Sequence, residues 1–300
     1  MTTKTRNWLL ALCIVALPFL TFSGFIASDF FTPPPLPPLP NPNGYDDLVK
    51  AGQMLSTNSW NYDKMNLEQL RELATANSEA LELARSGLSN QCRVPVEFTQ
   101  AYNENHLSNL ASVKRLAQAF VAEGRLDEME NRPNDAVKSY LDVIHLGNES
   151  SRGGTLIDGL VGIAIESIGT SPLQKLVPQL NAQSCRETAD TLETLNSQRQ
   201  SWNEVMQQEH DWSRRAFPGL RNELQRLTSR NSLKKAFQII EQKIKKRQTE
   251  TRQLIIDLAA RAYELDKGKP PASVADLVPD YLKAIPQDPF TGTNMVYLPR

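Results

Sequence analysis

Three histidines, three cysteines and one dense run of basic residues are the side chains best suited to chemistry in this 300-residue chain. His106, His145 and His210 are its only imidazoles, and no two stand four apart, the helical spacing that grips zinc. Each therefore reads as a surface residue or a satisfied helix residue. No nucleophile elbow, phosphate loop or dinucleotide-binding glycine pattern occurs. Carboxylate pairs are plentiful at helical spacing, where a solvated face is the default, so none is nominated as an acid/base pair. Residues 148–150, "NES", match a glycosylation acceptor, a triplet frequent by chance. The sequence nominates no catalytic residue, cofactor or metal site.

Cysteines bear on compartment more than on catalysis. Cys13 lies in an apolar segment, which leaves Cys92 and Cys185 as a pair. A disulfide between them would close a loop of about 90 residues and contribute roughly 4 kcal/mol in the chain-entropy model. Two buried free thiols, acting as small apolar groups, are the equal alternative, because spacing does not give the Cα separation. No Cys-x-x-Cys occurs, so neither a zinc knuckle nor a thioredoxin-type pair is supported.

Charge is segregated. Residues 44–213 hold 14 Lys+Arg against 24 Asp+Glu, a net of −10, whereas residues 214–252 hold 12 against 3, a net of +9. Lys234, Lys235, Lys243, Lys245, Lys246 and Arg247 form the densest part of the basic stretch. It is either a solvated face balancing the acidic half or a surface for an anionic partner: lipid headgroups, envelope polymer or an acidic protein patch.

The elements that must carry these residues read as helices. Asn66 and Gln69 have capping-box spacing, and Leu67, Leu70, Leu73, Ala74, Leu81 and Ala84 make a stripe that Gly87 ends. Residues 97–123 continue the pattern. Pro133 opens the next helix, with Ala136, Val137, Tyr140, Leu141 and Ile144 on its stripe and Gly147 as its stop. Residues 154–169 are apolar almost all round. Asp158 and Glu166 and the short length favour a core helix over a membrane span, with Gly159 and Gly162 admitting a close neighbour. Ser184 is read as the cap of a helix reaching Ser213, Pro218-Gly219 as a break, and 232–267 as a last helix, exposed or broken across the polar 245–253. No strand is read before residue 285.

The N-terminus sets the address. Lys4 and Arg6 precede Trp8–Ser28, 21 residues without charge. That length spans a bilayer core of about 30 Å and exceeds the apolar core of a cleaved signal, so an uncleaved anchor is favoured over cleavage near Ala27. Lys4 and Arg6 stand close on one side and the first basic residue on the other is Lys50, 22 positions past Ser28, which places the N-terminus in the cytoplasm and residues 29–300 outside it. Residues 32–43 hold seven prolines in twelve positions. They read as a polyproline II stalk of roughly 35 Å. Nucleic acid is disfavoured in that compartment.

Two resemblances follow. Residues 263–299 are similar to the C-terminal segment of type II secretion major pseudopilins: Tyr263, Asp266, Gly268, Pro270, Leu277, Val278, Tyr281, Leu282, Ile285, Pro286, Asp288, Pro289 and Tyr297 match its turn, short helix and strand pair. The family's leader, processing site and glutamate have no counterpart in residues 1–28, so the tail reads as a folding cap, with Ile285, Phe290 and Tyr297 packing on the helix end. Cys92-Arg93-Val94-Pro95, 116–147 and 155–168 resemble uncharacterised membrane-anchored, all-helical bacterial envelope proteins with the same tail. Residues 116–147 also look like a tetratricopeptide hairpin, without a second copy at fixed period.

The expected architecture is all-α. It comprises a cytoplasmic tip and transmembrane anchor (1–28), a proline-rich stalk (29–43), a domain of antiparallel hairpins (44–267) and a small β-hairpin-like cap (268–300). The expected function is a non-enzymatic interaction or scaffold protein, single-pass in the bacterial inner membrane, with an unknown protein or anionic envelope partner. An accessory of a secretion or pilus-like machine and an envelope enzyme without a visible active site are the alternatives.

Overall fold

The computed structural model describes residues 36–56, 62–97, 102–217 and 220–297. The anchor segment 1–28, residues 29–35 of the stalk and the Pro218-Gly219 break lie outside them. Among the described residues the chain is all-helical, with eight α-helices and no strand. They are α1 (Gly44–Met54), α2 (Leu67–Leu88), α3 (Tyr102–Met129), α4 (Pro133–Glu149), α5 (Leu156–Leu176), α6 (Ala182–Ser197), α7 (Trp202–Ala216) and α8 (Leu220–Lys267).

Local sequence explains most of the boundaries. The Asn66 side chain accepts from the Gln69 amide at 3.0 Å, and the Gln69 side chain accepts from the Asn66 amide at 3.0 Å, closing the predicted capping box. Pro133 stands in the first turn of α4, where its missing N–H costs nothing. Asn131, at φ 59°, turns α3 back onto α4 in a left-handed conformation that Asn tolerates.

Several expected boundaries are corrected. Gly147 does not stop α4, which continues to Glu149. It is instead the point where α4 and α5 touch: a Cβ on Gly147 would lie 2.6 Å from the Gly162 carbonyl oxygen, and one on Gly162 2.6 Å from the Gly147 oxygen. Gly162 thus has the predicted close-packing role, whereas a Cβ at Gly159 would meet only Val205 at 3.6 Å. Helix α5 outruns the predicted 154–169 and passes through Pro172, because Leu173 and Leu176 beyond it are buried and outweigh a proline cost of about 3 kcal/mol. The helix read from Ser184 to Ser213 is two helices. Asn181 caps the first, accepting from the Ser184 amide at 2.8 Å. A capping box of Ser201 with Glu204 starts the second. At the far end α8 begins at Leu220 and runs 48 residues without a break through the polar 245–253.

Packing follows chain order. Helix α1 lies on α2 and α3, α3 on α4, and α4 on α5, while the C-terminal half of α8 packs against α6. One core joins them, centred on Tyr45, Leu70, Leu81, Leu116, Phe120, Tyr140, Ile165 and Leu173 and extending to Leu254, Leu258 and Ala262 of α8. By length and apolar composition alone, Leu156–Gln179 is the one helix among the described residues able to cross a membrane. Here it packs against α4, α3, α8 and α7, and its two carboxylates are buried and paired.

The tail closes over the end of α8. Gly268, at φ +71°, donates to the Glu264 carbonyl at 2.8 Å and ends the helix as predicted. Tyr281 meets Tyr263 edge-on at 5.4 Å and donates to Asp266 at 3.0 Å. Leu277 and Leu282 are buried beneath it. Residues 286–295 fold back through Asp288 N–H to Thr293 O (2.7 Å) and Met295 N–H to Pro286 O (2.8 Å), with a single bridge, Gln287 to Asn294. Ile285 and Tyr297 pack on the core, but Phe290, expected to join them, is exposed, because the Asp288–Gly292 turn holds it outward.

Candidate functional site

The basic residues fall on the half of α8 that leaves the body. From Thr251 to Ala262 most residues are buried; from Lys234 to Lys243 none is. Phe237, Ile240 and Ile244, spaced three and four apart, form the inward edge of that outer half, and Ile244 shares a small cleft with Trp202 and Val205 of α7. Lys235, Ile239, Lys243 and Lys246, spaced four, four and three, make the opposite edge. All four are exposed, and Ile239 is 55% exposed.

The six predicted residues therefore divide. Lys235, Lys243 and Lys246 share one face, and exposed Lys234 flanks it. Lys245 and Arg247 are half-buried and engaged within the helix, Lys245 with Glu241 at 2.9 Å and Arg247 with Glu250 at 2.8 Å. No carboxylate among the described residues pairs with Lys234, Lys235, Lys243 or Lys246. The bland reading, a basic segment neutralised by the acidic half, would bring body carboxylates to these lysines. Several body carboxylates are instead engaged within the body: Glu123 and Asp142 hold Arg85, Glu130 holds Arg71 and Arg132, and Glu166 holds Arg199.

A contact chain ties this arm to the start of the domain. Asn43 accepts from the Arg93 amide at 2.9 Å and donates to the Arg93 carbonyl at 2.9 Å. Four residues on, the Glu97 carbonyl accepts from the Trp212 indole at 3.1 Å. Trp212 in turn meets exposed Phe217 edge-on at 6.0 Å, at the corner leading into α8. Four residues reach at most about 14 Å, so Asn43, at the start of the domain, lies near the end of α7, just before α8 begins.

The cysteines are far apart in environment. Both are buried and free. Cys92 packs against Gly44 and Gly87, and burial, with Glu149 nearby, pushes its thiol up to about 12. Cys185 lies on α6 beside Arg186 and Arg261, and burial pushes it up to about 11. No bridge joins them, and neither thiol has thiolate character at neutral pH.

One pairing escaped the sequence. His106, on α3, is buried with its Nε2 2.7 Å from Asp158 Oδ1. The other carboxylate oxygen accepts from the Thr155 amide at 2.7 Å and its hydroxyl at 2.9 Å, while Glu209 of α7 accepts from the Leu156 amide at 2.9 Å. His106, Thr155, Leu156 and Glu209 border a cleft of about 280 Å³ with Ile157, Leu160 and Trp212. A carboxylate-oriented imidazole has the form of a general base, but the one hydroxyl lining the cleft, Thr155, is already bonded to the carboxylate. The arrangement locks α3 to the first turn of α5. The two residues stand 52 apart, and only the apolar neighbourhood of Asp158 hinted that it needs a partner. His145 is half-buried, and burial lowers its pKa; His210 is exposed. Asn148 of the glycosylation triplet is buried and donates to the Leu195 carbonyl at 3.2 Å.

A second polar cleft, about 530 Å³, runs along α2, α3 and α4. Its charges answer one another. Burial alone would lower the Arg85 pKa, but Glu123 and Asp142 raise it well above its usual value. Arg132 reaches Asp127, Glu130 and Asp135.

The fold and its surfaces define a class: an all-helical body bearing a helical arm with an uncompensated basic face. No family model, curated protein or solved structure matches the chain.

Proposed function

We propose that this protein is a membrane-anchored, extracytoplasmic scaffold of the bacterial cell envelope that works by contact rather than catalysis. Its working surface is the outer half of α8. The observation that carries this reading is the face of Lys235, Lys243 and Lys246, exposed and without a carboxylate partner among the described residues. Solvated lysines are ordinary on a surface; a row of them on a helix that has left the core, in a chain with a matching acidic excess elsewhere, marks an anionic partner. The uncharged Trp8–Ser28 and the proline-rich 32–43 support the anchor and stalk in the inner membrane. The packed neighbours α2–α3, α3–α4 and α4–α5 support a loosely tetratricopeptide-like hairpin array, and the fold-back of residues 286–295 through one bridge supports a β-hairpin-like cap.

In-cell crosslinking of the full-length chain, beside a variant carrying Lys235→Glu, Lys243→Glu and Lys246→Glu, tests the proposal. A defined adduct that the variant loses is the expected result. Adducts identical in both chains would refute the arm as the working surface.

A second reading, an accessory of a secretion or pilus-like machine, rests on the tail. Gly268 in a left-handed turn, Tyr281 on Tyr263 and the 286–295 fold-back support this reading. Secretion components among the captured partners would favour it.

A further inference from the structure

We infer that the Lys235–Ile239–Lys243–Lys246 face of α8, together with the Phe217 corner, docks on the anionic phosphate surface of the membrane that anchors the chain. This rests on the anchored reading above and names the partner of the same surface.

Three observations select lipid over an envelope polymer or an acidic protein patch. The first is composition. A charge-only partner asks for lysines; this face sets an exposed isoleucine among them, and Phe217 at the corner is 54% exposed. Apolar groups flanked by lysines suit a bilayer interface, where the apolar side chain enters the acyl boundary and long basic side chains reach the headgroups. On the same helix Phe237 and Ile240 are half-buried and Ile244 is buried against Trp202 and Val205 of α7, so Ile239 lies off the helix's more buried edge.

The second is position. Asn43, where the stalk meets the domain, is bonded to Arg93, and Glu97, four residues later, is bonded to Trp212 beside Phe217. The start of the outer half of α8 thus lies near Asn43, where the described chain enters the domain. The third is reach. From Leu220 to Ile244 the arm is about 36 Å long, and the stalk is roughly 35 Å, so a tilt of the stalk lays the arm along the surface. The acidic body, net −10 over residues 44–213, is repelled by the same surface, which fixes which side faces down.

Each lysine near an anionic leaflet contributes a similar increment, and reversing three shifts the docked-to-free ratio by roughly a hundredfold or more. The attraction decays within a Debye length, so high salt weakens it.

The test uses the full chain, with Cys13→Ser and Ile239→Cys, reconstituted in proteoliposomes and carrying an environment-sensitive dye at position 239. Nitroxide-headgroup lipids serve as quenchers. In phosphatidylglycerol-rich vesicles the dye is expected to be quenched. Pure phosphatidylcholine, high salt, or Lys235→Glu with Lys243→Glu and Lys246→Glu should each remove most of that quenching. Carbonate resistance is scored in parallel. An unquenched dye on a carbonate-resistant chain overturns the docking inference and leaves the anchor standing. A chain that carbonate extracts overturns the anchor; absence of its binding to added phosphatidylglycerol vesicles would then also overturn the docking. Equal quenching in both lipids contradicts the electrostatic basis. Crosslinking of the arm to polymer or protein in native membranes, in place of lipid, also contradicts the inference.

Discussion

The two halves of α8 share one helix and differ in everything else. Beyond Thr251, Leu254, Ile255, Ile256, Leu258, Ala259 and Ala262 are buried against α6 and the core. Between Lys234 and Lys243 nothing is buried. A helix this long holds its backbone geometry through a region that gains little from packing, since each added residue contributes one hydrogen bond to a helix already nucleated. The inner half therefore supports the outer half, and the outer half is free to be chosen for its surface. That separation makes stability and contact independent, and substitution can break or sharpen it.

The largest effect should come from the body. Glu166 accepts from Arg199 at 2.7 and 2.6 Å, and both side chains are almost wholly buried. Glu166→Ala leaves a buried guanidinium unpaired and should cost about 3–5 kcal/mol in chemical denaturation. Replacing both residues with apolar ones should recover much of that. A loss below about 1 kcal/mol would mean that α5 is not packed as described.

Next is the α4–α5 contact. Gly162→Ala drives a methyl to 2.6 Å from the Gly147 oxygen and should cost about 1–3 kcal/mol; Gly159→Ala, which meets only Val205 at 3.6 Å, should be neutral or slightly stabilising. Equal effects at the two sites would contradict the geometry.

A smaller effect depends on pH. Burial pushes the Asp127 carboxyl up to about 6, and Arg132, itself half exposed, offsets this only in part. The folded value lies above the unfolded one, so the native state holds the proton more tightly between about pH 4 and pH 6. This group's contribution to stability falls as pH rises through that window. Asp127→Asn should gain on the wild type by about 2 kcal/mol between pH 4 and pH 7. A pH-independent difference would show that the carboxylate is already ionised at the lower pH.

The smallest stability effect belongs to the arm. Changing Lys235, Lys243 and Lys246 together to Glu should alter unfolding free energy by no more than about 0.5 kcal/mol while partner capture is lost. A large destabilisation would tie the arm to the core after all.

Legibility followed the same division. The Asn66 capping box, the Pro133 start, the Gly268 stop and the stripes of α2 and α4 are local, and short-range pattern carries them. Gly147 reads locally as a stop, but its reason for being glycine is Gly162, fifteen residues away on another helix. The split at Ser201 was written locally as Ser-x-x-Glu but was masked by an apolar periodicity that carries across the junction. His106 and Asp158 meet only through tertiary packing, so no spacing announces them. The basic run was visible as composition. Its division into a free face and two residues held in intrahelical pairs required the burial pattern.

Hydrogen exchange along α8 tests the central claim most directly. The full-length chain would be compared in detergent and in native membranes. In detergent, amides of Leu254–Ala262 should exchange only by global opening, while those of 234–243 exchange far faster. In native membranes the outer half should slow, and in the Lys235, Lys243 and Lys246 to Glu variant it should not. Uniform protection of both halves in detergent, or an outer half indifferent to its native surroundings, would contradict the account.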